Sequence, residues 1–434
     1  MCHTGGLILL PHYENYLIAM NKKKLLMVSL LLAGVELSCS NHDYALTKPD
    51  QSAVASESVR VKPVMRHQPL PEGVISVDIV NSNNRLHLLT GTHHHGHKTL
   101  WYKVSEDGGE NWSAAVKILG ADNIQANIVR GNDAQITVQN DTIVVAWMSY
   151  VEGAPFNAGA MVAARSVDGG KTWLQAATPP DWKKGPHGYI DMTADSKAMH
   201  AVWLDSRSGR SDVKASQGLY YAKSTDGGLS WQANQTVDEL TCSCCWNTIK
   251  SDADGKPYVL YRDKQPSDLS LAAINDQQQW QRLNHVGAFD WQFEGCPHIG
   301  GGLDFENRAG KTRLHAVVGT GHPDHLGVHY LYSDDTGEHW SNAQQLGDES
   351  AIHADIAALD DGRIVTVLDM MGDDGMAVFY AASKDSGLTW SKPMQLSKAG
   401  MRASHPRVVK TESGFVAVWT EHDGHQQTLA IRRI

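Results

Sequence analysis

The chain has no surplus of positive charge: 38 Lys and Arg stand against 48 Asp and Glu in 434 residues, a formal net charge of −10. Without a basic stripe there is no footprint for counterion release, so no nucleic-acid partner is expected, nor a broad anionic membrane surface. Beyond Leu25–Val35 no apolar run reaches the length of a membrane span. Cysteine is scarce, six in all. What is abundant is glycine (39) and tryptophan (13), with short runs of Val, Ile, Thr and Tyr broken by Gly, Asp and Asn. That composition points to an all-β chain. With 41% hydrophobic and 20% charged residues it has ample apolar material for a large core.

The N-terminus reads as a targeting segment. Met20 precedes Asn21-Lys22-Lys23-Lys24 and then the apolar run Leu25–Val35, a charged n-region and an h-region of secretory length, so residues 1–19 are taken as an upstream start. Glu36-Leu37-Ser38-Cys39-Ser40 resembles the lipobox of bacterial lipoproteins, with Glu36 where an aliphatic residue is usual. The resemblance implies lipidation at Cys39, which would be the only contact with a membrane. The expected division is 1–39 upstream start and export signal, 40–57 flexible tether, and 58–434 a single folded domain, with a periplasmic or outer-membrane-anchored location, extending to the cell surface, and a monomeric state.

The organising feature is a repeat. Ser105-Glu-Asp-Gly-Gly-Glu-Asn-Trp112, Ser166-Val-Asp-Gly-Gly-Lys-Thr-Trp173, Ser224-Thr-Asp-Gly-Gly-Leu-Ser-Trp231, Ser333-Asp-Asp-Thr-Gly-Glu-His-Trp340 and Ser383-Lys-Asp-Ser-Gly-Leu-Thr-Trp390 all fit Ser-x-Asp-x-Gly-x-x-Trp. Ala273-Ile-Asn-Asp-Gln-Gln-Gln-Trp280 is a decayed copy with Asn at the Asp position. Asp and Gly at this spacing close a tight turn, the carboxylate capping backbone N–H groups and Gly accepting positive φ, while Trp packs between units. These residues are read as structural. The octet resembles the Asp box, or bacterial neuraminidase repeat, of sialidases and related propellers.

Strand patterns place each box between the third and fourth strands of a four-stranded blade, as in Val74–Val80, Arg85–Thr90, Thr99–Val104, the box, and Ala114–Leu119. Six complete units follow. A seventh, from His405 to Arg432, has three strands, and Ser58–Arg66 could supply its fourth, which favours a seven-bladed β-propeller over the six blades of true sialidases.

With the boxes on one rim, the inter-blade links and the strand two-to-three loops fall on the opposite face, where propellers bind ligands. Twelve of the 22 histidines fall there: His93, His94, His95, His97, His187, His298, His322, His325, His353, His405, His422 and His425. So do Cys242, Cys244, Cys245 and Cys296. In an oxidising compartment an even set of cysteines predicts disulfides, most simply Cys296 to one of the cluster plus a local pair. The alternative is a thiolate site completed by His298 and suited to Zn or Cu. No other cofactor is implied.

Thr241-Cys-Ser-Cys-Cys-Trp-Asn, Tyr261-Arg-Asp263, Gly295-Cys-Pro-His-Ile-Gly-Gly-Gly302 and Trp203-Leu-Asp-Ser-Arg207 make residues 70 to 430 similar to an exported bacterial group of sialidase-like propellers. The resemblance implies a glycan or carbohydrate substrate. A sialidase needs an arginine cluster for the sugar carboxylate, a Tyr activated by Glu, and an Asp acid/base. Its aromatic-Arg-Ile-Pro motif is missing, and Arg66 in Met65-Arg-His-Gln-Pro-Leu is a poor substitute. Face-compatible arginines are Arg130, Arg207, Arg210, Arg262 and Arg402, with Asp205, Asp263 and Glu421 as nearby carboxylates. Three readings stand. One is a sialidase-like hydrolase using Arg207, Arg262, Arg402, Asp205 and Asp263. Another is a polysaccharide lyase with His and Tyr as acid and base. The last is a non-catalytic propeller whose Cys/His face holds a metal or a protein partner.

Overall fold

Short apolar runs separated by glycine-rich turns pair with their sequence neighbours as antiparallel strands. The computed structural model describes residues 70–153, 158–208, 216–308 and 310–434. The first unit comprises β1 (Gly73–Ser82), β2 (Arg85–His94), β3 (His97–Ser105) and β4 (Val116–Lys117), and the second β5 (Gln135–Gln139), β6 (Thr142–Met148), β7 (Met161–Ser166) and β8 (Leu174–Gln175). Next are β9 (His187–Ala194), β10 (Met199–Asp205), β11 (Ser216–Ser224) and β12 (Gln235–Cys242), then β13 (Thr248–Ser251), β14 (Pro257–Arg262), β15 (Leu269–Ile274) and β16 (Trp280–Val286). They are followed by β17 (Gly301–Arg308), β18 (Lys311–Thr320), β19 (Gly327–Ser333) and β20 (Gln344–Leu346), and by β21 (Ala354–Ala358), β22 (Ile364–Gly372), β23 (Gly375–Ser383) and β24 (Met394–Gln395). The chain closes with β25 (Arg402–Lys410), β26 (Phe415–His422) and β27 (Gln427–Arg433).

Five of the sheets have four strands, and the sixth runs β25-β26-β27-β1-β2-β3-β4. The first strands of the units, β1, β5, β9, β13, β17, β21 and β25, each contact the next, and β25 contacts β1, which closes the circle. The fold is a β-propeller. At the seam the Gln427 N–H donates to the Glu72 carbonyl at 2.8 Å and Gly73 pairs with Gln427. Ser58–Arg66, expected to complete this seam, lies outside the described residues.

All six boxes sit between a third and a fourth strand. In the five intact ones the Ser hydroxyl donates to the Asp carboxylate at 2.8 Å, and the backbone N–H four residues beyond the Asp donates to it at 2.9 Å. In the decayed copy Asn275 Oδ1 accepts the Gln277 and Gln279 N–H groups at 3.0 Å, so the amide does the carboxylate's work. Each Trp packs towards the preceding unit: Trp173 meets Tyr102 edge-on at 5.6 Å, Trp280 meets Tyr221 at 4.9 Å, and Trp390 meets Tyr330 at 4.7 Å. The box glycines allow this closeness, since a Cβ on Gly170 would stand 2.0 Å from the Tyr102 ring.

Around the axis, carboxylates fasten one unit to another. Asp78 accepts the Ile136 N–H (2.8 Å), Asp191 that of Ile249 (2.7 Å), Asp304 that of Ala358 (2.8 Å) and Asp355 that of Val408 (3.0 Å), while Asp133 accepts the Val77 N–H (2.9 Å). Arg407 on β25 answers this ring, its charge acting on Asp355, Asp78, Asp191 and Asp133. Burial still pushes the Asp78 carboxyl up to about 7.

Candidate active site at the axial mouth

The links entering the innermost strands bring polar side chains to one end of the axis. A cavity of about 30 Å³ there is lined by residues that include Arg130, Tyr189, Trp246, His353 and His405, drawn from five different units. Behind its two lining histidines stands Asp369, fully buried on β22. One Asp369 oxygen accepts the His353 N–H at 3.0 Å; the other faces His353 Nδ1 at 2.6 Å and accepts the His405 N–H at 2.8 Å. The two imidazoles stack with centroids 3.9 Å apart, and Trp246 packs on both, at 5.1 Å from His353 and 5.9 Å from His405. Arg130 reaches the Val77 carbonyl at 3.1 Å as well as Asp133 and the His405 carbonyl. Gly131 has φ +91°, and a Cβ there would come within 3.3 Å of His405 Nε2.

Backbone strain collects at this end. Tyr189, His298 and His405 hold φ of 52°, 53° and 53°, a region bulky residues rarely occupy. Burial, and then the His353 charge, hold the His405 imidazole well below its ordinary pKa. Burial and the neighbouring cysteines hold the Tyr189 phenol well above its own, so it stays protonated.

The cysteines lie beside this mouth. Cys242, Cys244 and Cys245 form one buried turn, with Sγ–Sγ distances of 2.9 Å for Cys242–Cys245 and 3.6 Å for Cys242–Cys244. Cys296, from the β16–β17 link, reaches the Ser243 hydroxyl at 3.8 Å and acts on the Cys244 thiol. All four are free thiols, Cys296 exposed. His298 adjoins the cluster, with Cys242, the Cys244 backbone and His353 all acting on its ring.

The residues proposed for a sugar-carboxylate clamp are not gathered. Arg207 is held by Asp205 (2.6 Å), Asp181 (2.6 Å) and Asn234 (3.0 Å) and stacks on Tyr220. Asp205 is fully buried beneath it. Arg262 is buried and donates to the carbonyls of Ile299, Ser267 and Gly319. Asp263, its sequence neighbour, is buried against Arg282 at 2.8 Å. Arg402 is exposed at the start of β25. Arg207 and Arg262 share no partner, because each guanidinium is saturated inside its own part of the fold. Glu421 is likewise internal, accepting from Trp419 Nε1 at 3.1 Å. Arg66, Arg210 and Cys39 lie outside the described residues.

The profile of the BNR repeat-like domain matches residues 64–288, more than half the chain. The chain belongs to this BNR repeat-like family. Among solved structures, this BNR repeat-like propeller is similar to an ulvan lyase of polysaccharide lyase family 25, shown with -[GlcA(1-4)Rha3S]- (9% identity, 83% of this chain and 96% of that one, TM-score 0.54). It is also similar to Trypanosoma rangeli sialidase (12%, 82% and 65%, TM-score 0.49) and to the Hadza microbial sialidase Hz136 (13%, 78% and 74%, TM-score 0.47). The likeness to the lyase is one of fold. No curated protein sequence matches the chain significantly.

Of the twelve histidines assigned to the ligand face in this BNR repeat-like chain, His353 and His405 line the axial cavity and His298 borders it. His187 is instead buried, 3.6 Å from Asp205. Trp246, Asp369 and Tyr189 were not singled out as site residues. Asp369 had a signal, a lone carboxylate inside the apolar run Ile364–Met371.

Proposed function

We propose that the chain is an exported, monomeric, glycan-active propeller of seven blades whose reacting end is the axial mouth, and that it cleaves an acidic sugar polymer by elimination. One observation carries this reading: an imidazole at the axis, His353, whose Nδ1 is tied to a buried carboxylate, leaving Nε2 for proton transfer. The closed circle of seven first strands supports the blade count. An axial cavity of about 30 Å³ is too small for a sugar ring, so the polymer would lie across the mouth, over Trp246. In the elimination, His353 Nε2 takes the proton α to the uronate carboxylate. The electron pair forms the ring double bond as the C–O bond to the next sugar breaks, and the Tyr189 hydroxyl returns a proton to the leaving oxygen.

A sialidase-type hydrolysis is less well supported, because Arg207 and Arg262 are engaged within the fold. The ulvan lyase neighbour, with its glucuronate-containing ligand, agrees with an acidic polymer but contributes only its fold. Periplasmic or outer-membrane placement, with any lipid anchor at Cys39, is part of the proposal. The test is a panel of uronate polysaccharides read by the ultraviolet absorbance of unsaturated uronide, with a fluorogenic sialoside alongside. Turnover of a uronate polymer lost in His353→Ala supports the reading; robust sialoside hydrolysis with none on uronates rejects it.

A further inference from the structure

Arg262 is a buried guanidinium, 1% exposed, and all of its partners are neutral carbonyls: Ile299 (2.8 Å), Gly319 (2.6 Å) and Ser267. Among the described residues no carboxylate pairs with it, although buried cations are normally compensated. One face rests on Trp291 at 5.1 Å. The groups its charge does act on are the thiols of Cys242 and Cys245. A second cation, Lys264, buried as a residue, acts on Cys296. The two cations thus act on three of the four sulfurs, and neither has a carboxylate partner among the described residues.

Disulfides would leave this arrangement unexplained, since a bridged sulfur carries no charge to answer Arg262. Thiolates would answer it. The sulfur atoms of Cys242, Cys244 and Cys245 all lie within 4.8 Å of one another, close enough to share one ion. Cys296 stands exposed beside Cys244 and gives an entry path from solvent.

We propose that Cys242, Cys244, Cys245 and Cys296 bind one soft d10 cation, Zn2+ or Cu+, as thiolates, with Arg262 and Lys264 neutralising the anionic cluster. Sulfur donors select these ions over hard ones. Each thiol loses its proton to solvent as its metal–sulfur bond forms, and no electron is transferred. His298 borders the cluster and links it to the axial mouth, but the four sulfurs complete the coordination. The proposal does not rest on the glycan reading, although Tyr189 packs against the cluster.

The test uses full-length protein exported to the periplasm and purified without reductant. Metal content per chain and cysteine alkylation are measured before and after chelation, and the reduced metal-free protein is titrated with Zn2+ and separately with Cu+ against chromophoric chelators. The expected result is one ion per chain, thiols shielded until chelation, and affinity lowered about 10–100-fold in Cys296→Ser and in Arg262→Met. Cys296 is exposed, so its replacement leaves folding intact and keeps the test valid if Arg262→Met does not fold. The ion found in the protein as purified from the periplasm identifies the metal. Cysteines that react only after reduction, in a protein whose reduced form binds neither ion, would overturn the proposal in favour of two disulfides.

Discussion

His353 and His405 stack ring on ring at 3.9 Å while a single oxygen of Asp369 holds the Nδ1 of one and the backbone N–H of the other. Two imidazolium ions could not share that distance cheaply, and burial keeps His405 neutral. The pair is therefore asymmetric: the ring of His353 faces the carboxylate, and His405 meets it only through its backbone.

Asp369→Asn tests this asymmetry. The amide can keep one acceptor but cannot serve both the imidazole and the two N–H groups, and it removes the carboxylate that faces the His353 ring. Turnover is expected to fall about 100-fold, with a stability loss of about 1–3 kcal/mol from the broken buried bonds. His353→Ala should match the kinetic loss with a smaller change in melting temperature. Equal activity of Asp369→Asn and wild type would remove His353 from the mechanism.

Arg207 offers a contrasting case. Its removal strands Asp205, which is fully buried and has Arg207 as its nearest cation. Arg207→Ala should destabilise the fold by about 3–5 kcal/mol, seen as a lower urea midpoint. At a temperature where the variant remains folded, its KM should be unchanged. A raised KM with normal stability would restore Arg207 as a substrate clamp.

Much of the fold was legible because the Asp box is local: Ser, Asp and Gly close a turn within eight residues, and even Asn275 keeps the turn's hydrogen bonds. The seam was less so, because it joins chain ends some 350 residues apart by a pairing that starts at Gly73 and Gln427. At the site, sorting by face placed His298, His353, His405 and the cysteines at one end. It also kept three strut histidines apart from them. His87, His200 and His315 each hold a tyrosine hydroxyl, of Tyr102, Tyr221 and Tyr330, at 2.7 to 2.8 Å beneath the following box. The arginines were harder to place for a related reason. Sequence proximity to Asp205 suggested a clamp, whereas spacing two residues apart at a strand end made a closed ion pair.

Stability should fall in strong acid. The box carboxylates Asp107, Asp226 and Asp335 are held at about 2, chiefly by the hydrogen bonds they accept inside their turns. Their folded values lie below the unfolded one near 3.8, so their contribution is present above that value and is lost as pH falls towards 2. Asp78 runs the other way. Burial raises it to about 7, so its contribution is full below 3.8 and is lost as pH rises through 7. His87 and His187, both held down to about 4 chiefly by burial, contribute stability that is present above their ordinary value of 6.5 and lost as pH falls through 4. Asp78→Asn should gain stability relative to the unaltered chain as pH rises from about 4 to about 7, by roughly 2–4 kcal/mol across that window. A difference that does not change with pH would show that Arg407 fully compensates the ring.

Beyond β27, the described residues supply a partner only at its first residue, through Glu72 and Gly73, while Thr428 to Arg433 run on along the outer edge of the last unit. If Ser58–Arg66 pairs there as the fourth strand, the two chain ends share one sheet and the ring is fastened by that ladder. Deleting the chain through Arg66 would then expose an edge whose N–H and C=O groups have lost their partners. The truncated protein should melt at least roughly 5 °C lower and should self-associate at high concentration, while Glu72 and Gly73 still hold the start of the seam. A truncated protein with the full-length melting temperature and no association would mean that the last unit stands with three strands, and the seven-bladed closure proposed above would fail.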